Sequence, residues 1–188
     1  MKTRIGLYFG SFNPVHTAHI QMAQTFLDAA QLDEIWWVIS PQNPHKSPFI
    51  LAPFHHRCNM LKLALKELPF SVCEIENQLP FPSYTIHTLH TLNMQFPDVA
   101  FILLMGEDSW NALPTWKQGD EIERDFEIFV YKRFENTSLR MGRYHLLNAP
   151  LLDMSSTKIR EGIQQRDLQI AGLLPVVKQY IEENKLYR

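Results

Sequence analysis

The chain has 188 residues, 45% hydrophobic and 20% charged, with a formal net charge of −2. That balance excludes a disordered chain and a coiled coil, and the missing basic excess argues against a nucleic-acid binder. Cys58 and Cys73 are the only cysteines, so there is neither a disulfide framework nor a zinc-type spacing, which fits a reducing compartment.

Lys2 and Arg4 ahead of apolar residues imitate a signal peptide. The apolar run at 5–9 is shorter than the roughly 7–15 residues of a secretory core, and no small-residue cleavage site follows. No stretch approaches the roughly 18 apolar residues of a membrane span. A cytoplasmic chain with no membrane contact is expected, and the sequon at Asn136 carries no weight.

Residues 3–9 read as a first strand, closed by Gly10. Residues 15–30 have helical period, with Ile20, Ala23, Phe26, Leu27 and Ala30 on one face. Residues 34–39 form an apolar run, as in a parallel strand covered on both faces. Pro41, Pro44, Pro48 and Pro53 then stiffen a loop. A helix follows at 54–68, a third strand at 70–75 and a helix at 84–95. Strands are predicted at 101–105, 127–131 and 145–148, with a polar, irregular stretch at 132–142 between the last two. Helical pattern resumes from Ile159, and residues 176–184 make a closing helix. The alternation predicts right-handed βαβ units and an α/β fold with a doubly wound parallel sheet. No internal boundary is visible, so a single domain over 1–188 is expected. Ligands of such sheets bind beyond the carboxyl ends of the strands, where the strand order reverses.

The residues after each strand therefore carry the functional reading. The first strand exits into Gly10-Ser11-Phe12-Asn13-Pro14-Val15-His16-Thr17-Ala18-His19, which matches neither a dinucleotide fingerprint nor a Walker A loop. A strand–Gly–helix turn still aims backbone N–H groups outward. His16 and His19 are three apart and share a face once the helix has begun. Imidazoles at a helix N-terminus make sense with an anion between them and the helix end; a turn cap plus a surface histidine has equal weight. Ser155-Ser156-Thr157 is an N-cap signal, and Lys158 and Arg160 stand where acids are usual. Hydroxyls, free N–H groups and a guanidinium make a phosphate clamp, against an ordinary capped helix. Lys46, in Pro44-His45-Lys46, is a third cation on a stiff loop, and alone it would be a surface lysine. Gly106-Glu107-Asp108 places carboxylates at a strand end, suited to ribose hydroxyls, to a water-bridged metal, or equally to capping the next helix. His87 and His90 lack a third zinc ligand, and His55 and His56 are read as solvent-facing beside Arg57. Of Trp36 and Trp37 at least one belongs to the core, and Trp110 or Trp116 is available to stack on a flat ring.

In their order and spacing, GSFNPVHTAH, PHK, SYT, GED with a downstream PTW, and SSTKIR resemble the nicotinate-nucleotide adenylyltransferases, of the nucleotidylyltransferase superfamily, and the ending LLPVVKQYIEENKLYR is similar as well. The likeness covers nearly the whole chain. It implies the Rossmann-like fold of that superfamily, with the part from about residue 155 completing the ATP phosphate site. The implied reaction joins nicotinate mononucleotide and ATP, with Mg²⁺ held mainly through the ATP phosphates rather than by protein ligands, giving nicotinate adenine dinucleotide and pyrophosphate in NAD biosynthesis. By matched motif, His16 and His19 contact the phosphates, and Lys46 and Arg160 neutralise developing charge. Gly10, Ser11 and Phe12 cradle ATP, Ser155, Ser156 and Thr157 hold the β- and γ-phosphates, and Gly106 and Asp108 approach the ribose. Trp116 stacks on the pyridine ring, whose carboxylate meets N–H groups near Thr85, Ile86 and Lys117. Three positions depart from the resemblance or lack a role in it: Asn13 replaces a usual Asp, Ala18 a usual Gly, and Glu107 has no assigned role. Another adenylyl- or cytidylyltransferase, such as a phosphopantetheine adenylyltransferase, and a non-catalytic nucleotide-binding module are the rival readings. The sequence leaves open whether the chain forms a homo-oligomer.

Overall fold

The computed structural model describes residues 2–41, 51–132, 138–147, 154–167 and 169–188. Lys46 and Asn136, and with them the readings placed on the 44–46 loop and on the sequon, lie outside the described residues. The strands are β1 (Thr3–Gly10), β2 (Glu34–Ile39), β3 (Phe70–Cys73), β4 (Val99–Gly106), β5 (Glu127–Tyr131) and β6 (His145–Leu147). They form one sheet in the order β3-β2-β1-β4-β5-β6, and every neighbouring pair is parallel. The helices are α1 (Thr17–Ala29), α2 (Phe54–Leu65), α3 (Thr85–Gln95), α4 (Glu107–Ala112), α5 (Gly119–Asp125), α6 (Ser156–Gln164) and α7 (Pro175–Glu183).

Alternation along the strands sorts side chains onto two faces. Tyr8, Ile35, Trp37, Ile39, Ile102, Leu104 and Tyr131 pack with residues of α1, α2 and α7. Leu7, Val38, Phe101, Leu103, Met105, Ile128 and Val130 pack with residues of α3, α4 and α5. The predicted elements are all present, with shifted ends. The third strand stops at Cys73, and residues Ile75–Gln78 form a 3-10 turn instead. The reason is Glu76, whose buried carboxylate accepts from Ser83 and Thr88, so the chain turns inward rather than extending an edge strand. α2 stops at Leu65, where a turn from the Leu68 N–H to the Leu65 carbonyl carries the chain into β3. α6 begins three residues before Ile159 because Ser155 caps it, accepting from the Lys158 N–H at 3.2 Å.

Arg57 is the least expected element of the core. Only 1% of it is exposed. Its Nε donates to the Ala52 carbonyl at 2.9 Å, one terminal nitrogen to Ser11 at 2.9 Å and Ser40 at 2.7 Å, and the other to Pro41 at 2.7 Å. The guanidinium thus fastens the loop after β1, the exit of β2 and the entry to α2. Replacement by Lys leaves several buried carbonyls unpaired, at ~1–3 kcal/mol each. Arg57→Lys is therefore expected to lower the melting temperature by about 8 °C or more, given ~2–4 °C per kcal/mol for a domain of this size; thermal denaturation followed by circular dichroism checks it.

Candidate active site

The strand order reverses between β1 and β4, so the loops beyond their carboxyl ends diverge and leave a crevice. Two clefts lie there. The larger, about 590 Å³, is lined by Gly10, Ser11, Phe12, His16 and His19 from the end of β1 and the start of α1, by Gly106 and Asp108 from the end of β4, and by Ser155, Ser156, Thr157 and Arg160 from α6. The smaller, about 250 Å³, is lined by Ser40, Glu76, Ser83, Tyr84 and Thr85 on one side and Thr115, Trp116 and Lys117 on the other. Both share Gly10, Gly106 and Ser109, so they are two arms of one crevice.

The loop after β1 is built to stay still. Phe12 has φ of 43°, and its buried ring sits 5.0 Å from Trp37 and 5.6 Å from Tyr8. A Cβ on Gly10 would lie 2.7 Å from that ring, so glycine alone fits beneath it. His16 precedes α1 as its N-cap in extended conformation, and the two imidazoles stack at 3.7 Å. The His16 N–H donates to His19 Nδ1 at 3.3 Å. With Nδ1 accepting, neutral His19 carries its proton on Nε2.

α6 is fastened to this loop across more than 140 residues of sequence. Ser156 Oγ donates to the Pro14 carbonyl at 3.0 Å, and Arg160 donates to the Asn13 carbonyl at 2.8 Å and to Thr157 Oγ1 at 3.1 Å. Asn13 Oδ1 accepts from the Ala52 N–H at 3.0 Å and from the Tyr187 hydroxyl at 2.7 Å. Burial pushes the Tyr187 phenol up, against the opposing effects of Arg160 and Arg57, so it remains a donor. The first N–H groups of α3 and α6 have no partner within their helices, and both helices open onto the crevice through Thr85 and Ser156. Lys117 lies over the Tyr84 ring at 4.5 Å, at the edge of the smaller cleft.

A sequence profile described as cytidylyltransferase-like matches residues 7–162. Relatives named as nicotinate-nucleotide adenylyltransferases include one from Flavobacterium psychrophilum, 36% identical with 98% of this chain and 99% of that protein covered, and one from Porphyromonas gingivalis, 38% identical over 90% and 89%. The chain belongs to the cytidylyltransferase-like family, among its nicotinate-nucleotide adenylyltransferases. A Plasmodium falciparum nicotinic acid mononucleotide adenylyltransferase, solved with NaAD, superposes on this adenylyltransferase with a TM-score of 0.81 at 23% identity, covering 98% of this chain and 97% of that one. That likeness speaks for the Rossmann-like fold.

Among the described residues, the sequence-predicted residues of the two arms line them, apart from Ile86. Ile86, on α3, is fully buried in the core. Trp110 is not a stacking surface: it is fully buried, its indole donates to the Arg140 carbonyl at 3.1 Å, and the Arg140 guanidinium covers it at 3.7 Å. His56 is half-buried rather than solvent-facing, within 2.9 Å of the Tyr180 hydroxyl, and burial and His55 lower its pKa. Arg57, Glu76 and Tyr187 escaped the sequence reading. One signal for Arg57 was present: it stands four and eight residues before Leu61 and Leu65, on the buried stripe of α2. Tyr187→Phe removes one of the two bonds to Asn13 and is expected to cost ~1 kcal/mol, a melting-temperature fall of about 2–4 °C in a thermal scan.

Proposed function

We propose that the larger cleft takes the triphosphate and ribose of ATP and the smaller one the pyridine of nicotinate mononucleotide, so that the two substrates meet at Gly10 and Gly106. A phosphate oxygen of the mononucleotide attacks the α-phosphorus of ATP. The bond from that phosphorus to the bridging oxygen of the β-phosphate breaks, and pyrophosphate leaves with the electron pair. The products are nicotinate adenine dinucleotide and pyrophosphate.

What carries this reading is the pairing of unlike arms: cationic and N–H donors gather on one, and an aromatic surface facing a helix N-terminus lines the other. In-line transfer depends on positioning and charge stabilisation more than on covalent chemistry. His16 and His19 hold the phosphates, with the His19 Nε2 proton as donor. Arg160 and Lys46 neutralise the charge that develops, and Ser155, Ser156 and Thr157 bind the β- and γ-phosphates at the start of α6. Ser11 and Phe12 contribute backbone to the cradle, and Asp108 accepts from the ribose. Trp116 stacks on the pyridine ring, and the N–H groups of Thr85, Ile86 and Lys117 receive its carboxylate.

Among the described residues no group of three or more His, Cys, Asp or Glu side chains is placed to hold a metal ion. Asp108 is the carboxylate lining the larger cleft. That donor set fits Mg²⁺ arriving with the nucleotide, since Mg²⁺ keeps waters and takes few protein ligands beside phosphates; when bound it draws electron density from the phosphate oxygens. A phosphopantetheine adenylyltransferase would share the larger cleft, but the aromatic, helix-capped smaller cleft suits a flat anionic ring better.

A coupled pyrophosphate assay tests the assignment. Nicotinate mononucleotide is expected to support turnover well above nicotinamide mononucleotide and phosphopantetheine, and ATP binding without turnover on any of them would refute it. His19→Ala is expected to lower kcat ~10²–10³-fold, while the lost cap costs only ~1 kcal/mol of stability. Trp116→Ala is expected to raise KM for the mononucleotide more than KM for ATP, and unchanged values would move the ring elsewhere.

A further inference from the structure

Glu76 has no place in the reaction as described, yet it is 3% exposed and lines the smaller cleft. Its Oε2 accepts from Ser83 Oγ at 3.3 Å and its Oε1 from Thr88 Oγ1 at 3.1 Å. Those two residues flank the turn at Tyr84 and the first turn of α3. Burial raises the Glu76 pKa, opposed by the hydroxyls of Ser40, Thr88 and Ser83. Among the described residues no cation is among its partners. A buried carboxylate held by hydroxyls alone is costly for the fold, which asks for a return elsewhere.

Ser40 supplies the connection to the rest of the crevice. Its N–H donates to the Gly10 carbonyl at 3.0 Å, and its carbonyl accepts from Arg57 at 2.7 Å. The end of β2 is therefore bonded to a buried cation through the Ser40 carbonyl, and the Ser40 hydroxyl helps hold down the pKa of the buried acid. Glu76 joins this fixed strand end to the start of α3.

We propose that Glu76 is a positioning residue for the acceptor substrate: it fixes the 83–88 segment, and with it the N–H groups that open α3, across the smaller cleft from Trp116. The proposal rests on the assignment of that cleft to the mononucleotide. Glu76 touches neither substrate. Ser83 and Thr88, the two side chains that donate to it, line no part of the larger arm, so its effect is expected on the mononucleotide side.

Steady-state kinetics with ATP and nicotinate mononucleotide varied separately test this. Glu76→Ala is expected to raise KM for the mononucleotide about tenfold, the worth of one or two hydrogen bonds, with KM for ATP within about twofold. Glu76→Gln keeps the size and an acceptor oxygen and is expected to recover most of the loss. If Glu76→Ala does not fold, Thr88→Val breaks one of the two bonds alone, and is expected to raise the mononucleotide KM several-fold with that for ATP unchanged. The role is overturned if the folding variants leave the mononucleotide KM unchanged, if both KM values rise together, or if Gln is as impaired as Ala. A wild-type enzyme that releases no pyrophosphate with nicotinate mononucleotide overturns the assigned reaction and this role together; normal wild-type turnover with an unmoved variant KM overturns the role alone.

Discussion

The Arg57 guanidinium is the constraint on which the crevice depends. A buried cation is ordinarily matched by a carboxylate, and here the carbonyls of Ala52, Ser11, Ser40 and Pro41 take that part. Burial lowers its pKa, though nearby Tyr187 and Cys58 oppose the shift. Only a planar fork with five donors can reach four carbonyls from three chain segments at once. Because one of those carbonyls belongs to Ser11, the loop that follows β1 is held from beneath, while Ser156 and Arg160 hold it from above. Such a loop presents its donors to the larger cleft already in place, and preset donors are the kind that stabilise a transferring phosphoryl group.

The two imidazoles show how local structure becomes chemistry. A histidine at an N-cap and another at N3 would be poor choices for a helix left to itself, since neither is a favoured capping residue. Here the His19 ring takes over the work of a capping acid by accepting the His16 N–H. That single bond closes the open end of α1 and sets the tautomer of neutral His19. The stacking of the rings adds rigidity. One hydrogen bond thus caps the helix and fixes the protonation pattern of a ring that lines the larger cleft.

Much of this was legible in the sequence, for identifiable reasons. Period-2 and period-3.6 patterns marked strands and helices because each strand feeds both layers and each helix buries one stripe. The larger cleft was legible because its residues follow directly on strand ends or precede a Ser-rich helix start, so each motif advertises its own position. Arg57, Glu76 and Tyr187 are different. Each acts by hydrogen bonds to groups far away in sequence, and a polar side chain with such partners is indistinguishable in one dimension from a solvated one. Trp110 and Trp116 stand six apart and pack with the same cluster, but the first is fully buried and the second lines the smaller cleft, a difference no local pattern encodes. The end of the third strand was misplaced for the same cause: the pull of Glu76 on the chain comes from Ser83 and Thr88, not from its neighbours.

The departure at Asn13 is best understood through this network. Its Oδ1 accepts from the Ala52 N–H and the Tyr187 hydroxyl, and Ala52 is also gripped by Arg57. What the position requires is an acceptor oxygen, and an amide supplies one as well as a carboxylate does. The difference is charge: an aspartate there would bring a negative charge to the lining of the larger cleft, whereas the amide is neutral. The anchoring role of the position therefore survives the loss of the acid. Ala18 is buried within the first turn of α1 and lines the same cleft. Glu107 stands apart: it is fully buried, and among the described residues neither of its oxygens has a hydrogen-bond partner. Its neighbour Asp108 is the one of the two that lines the larger cleft.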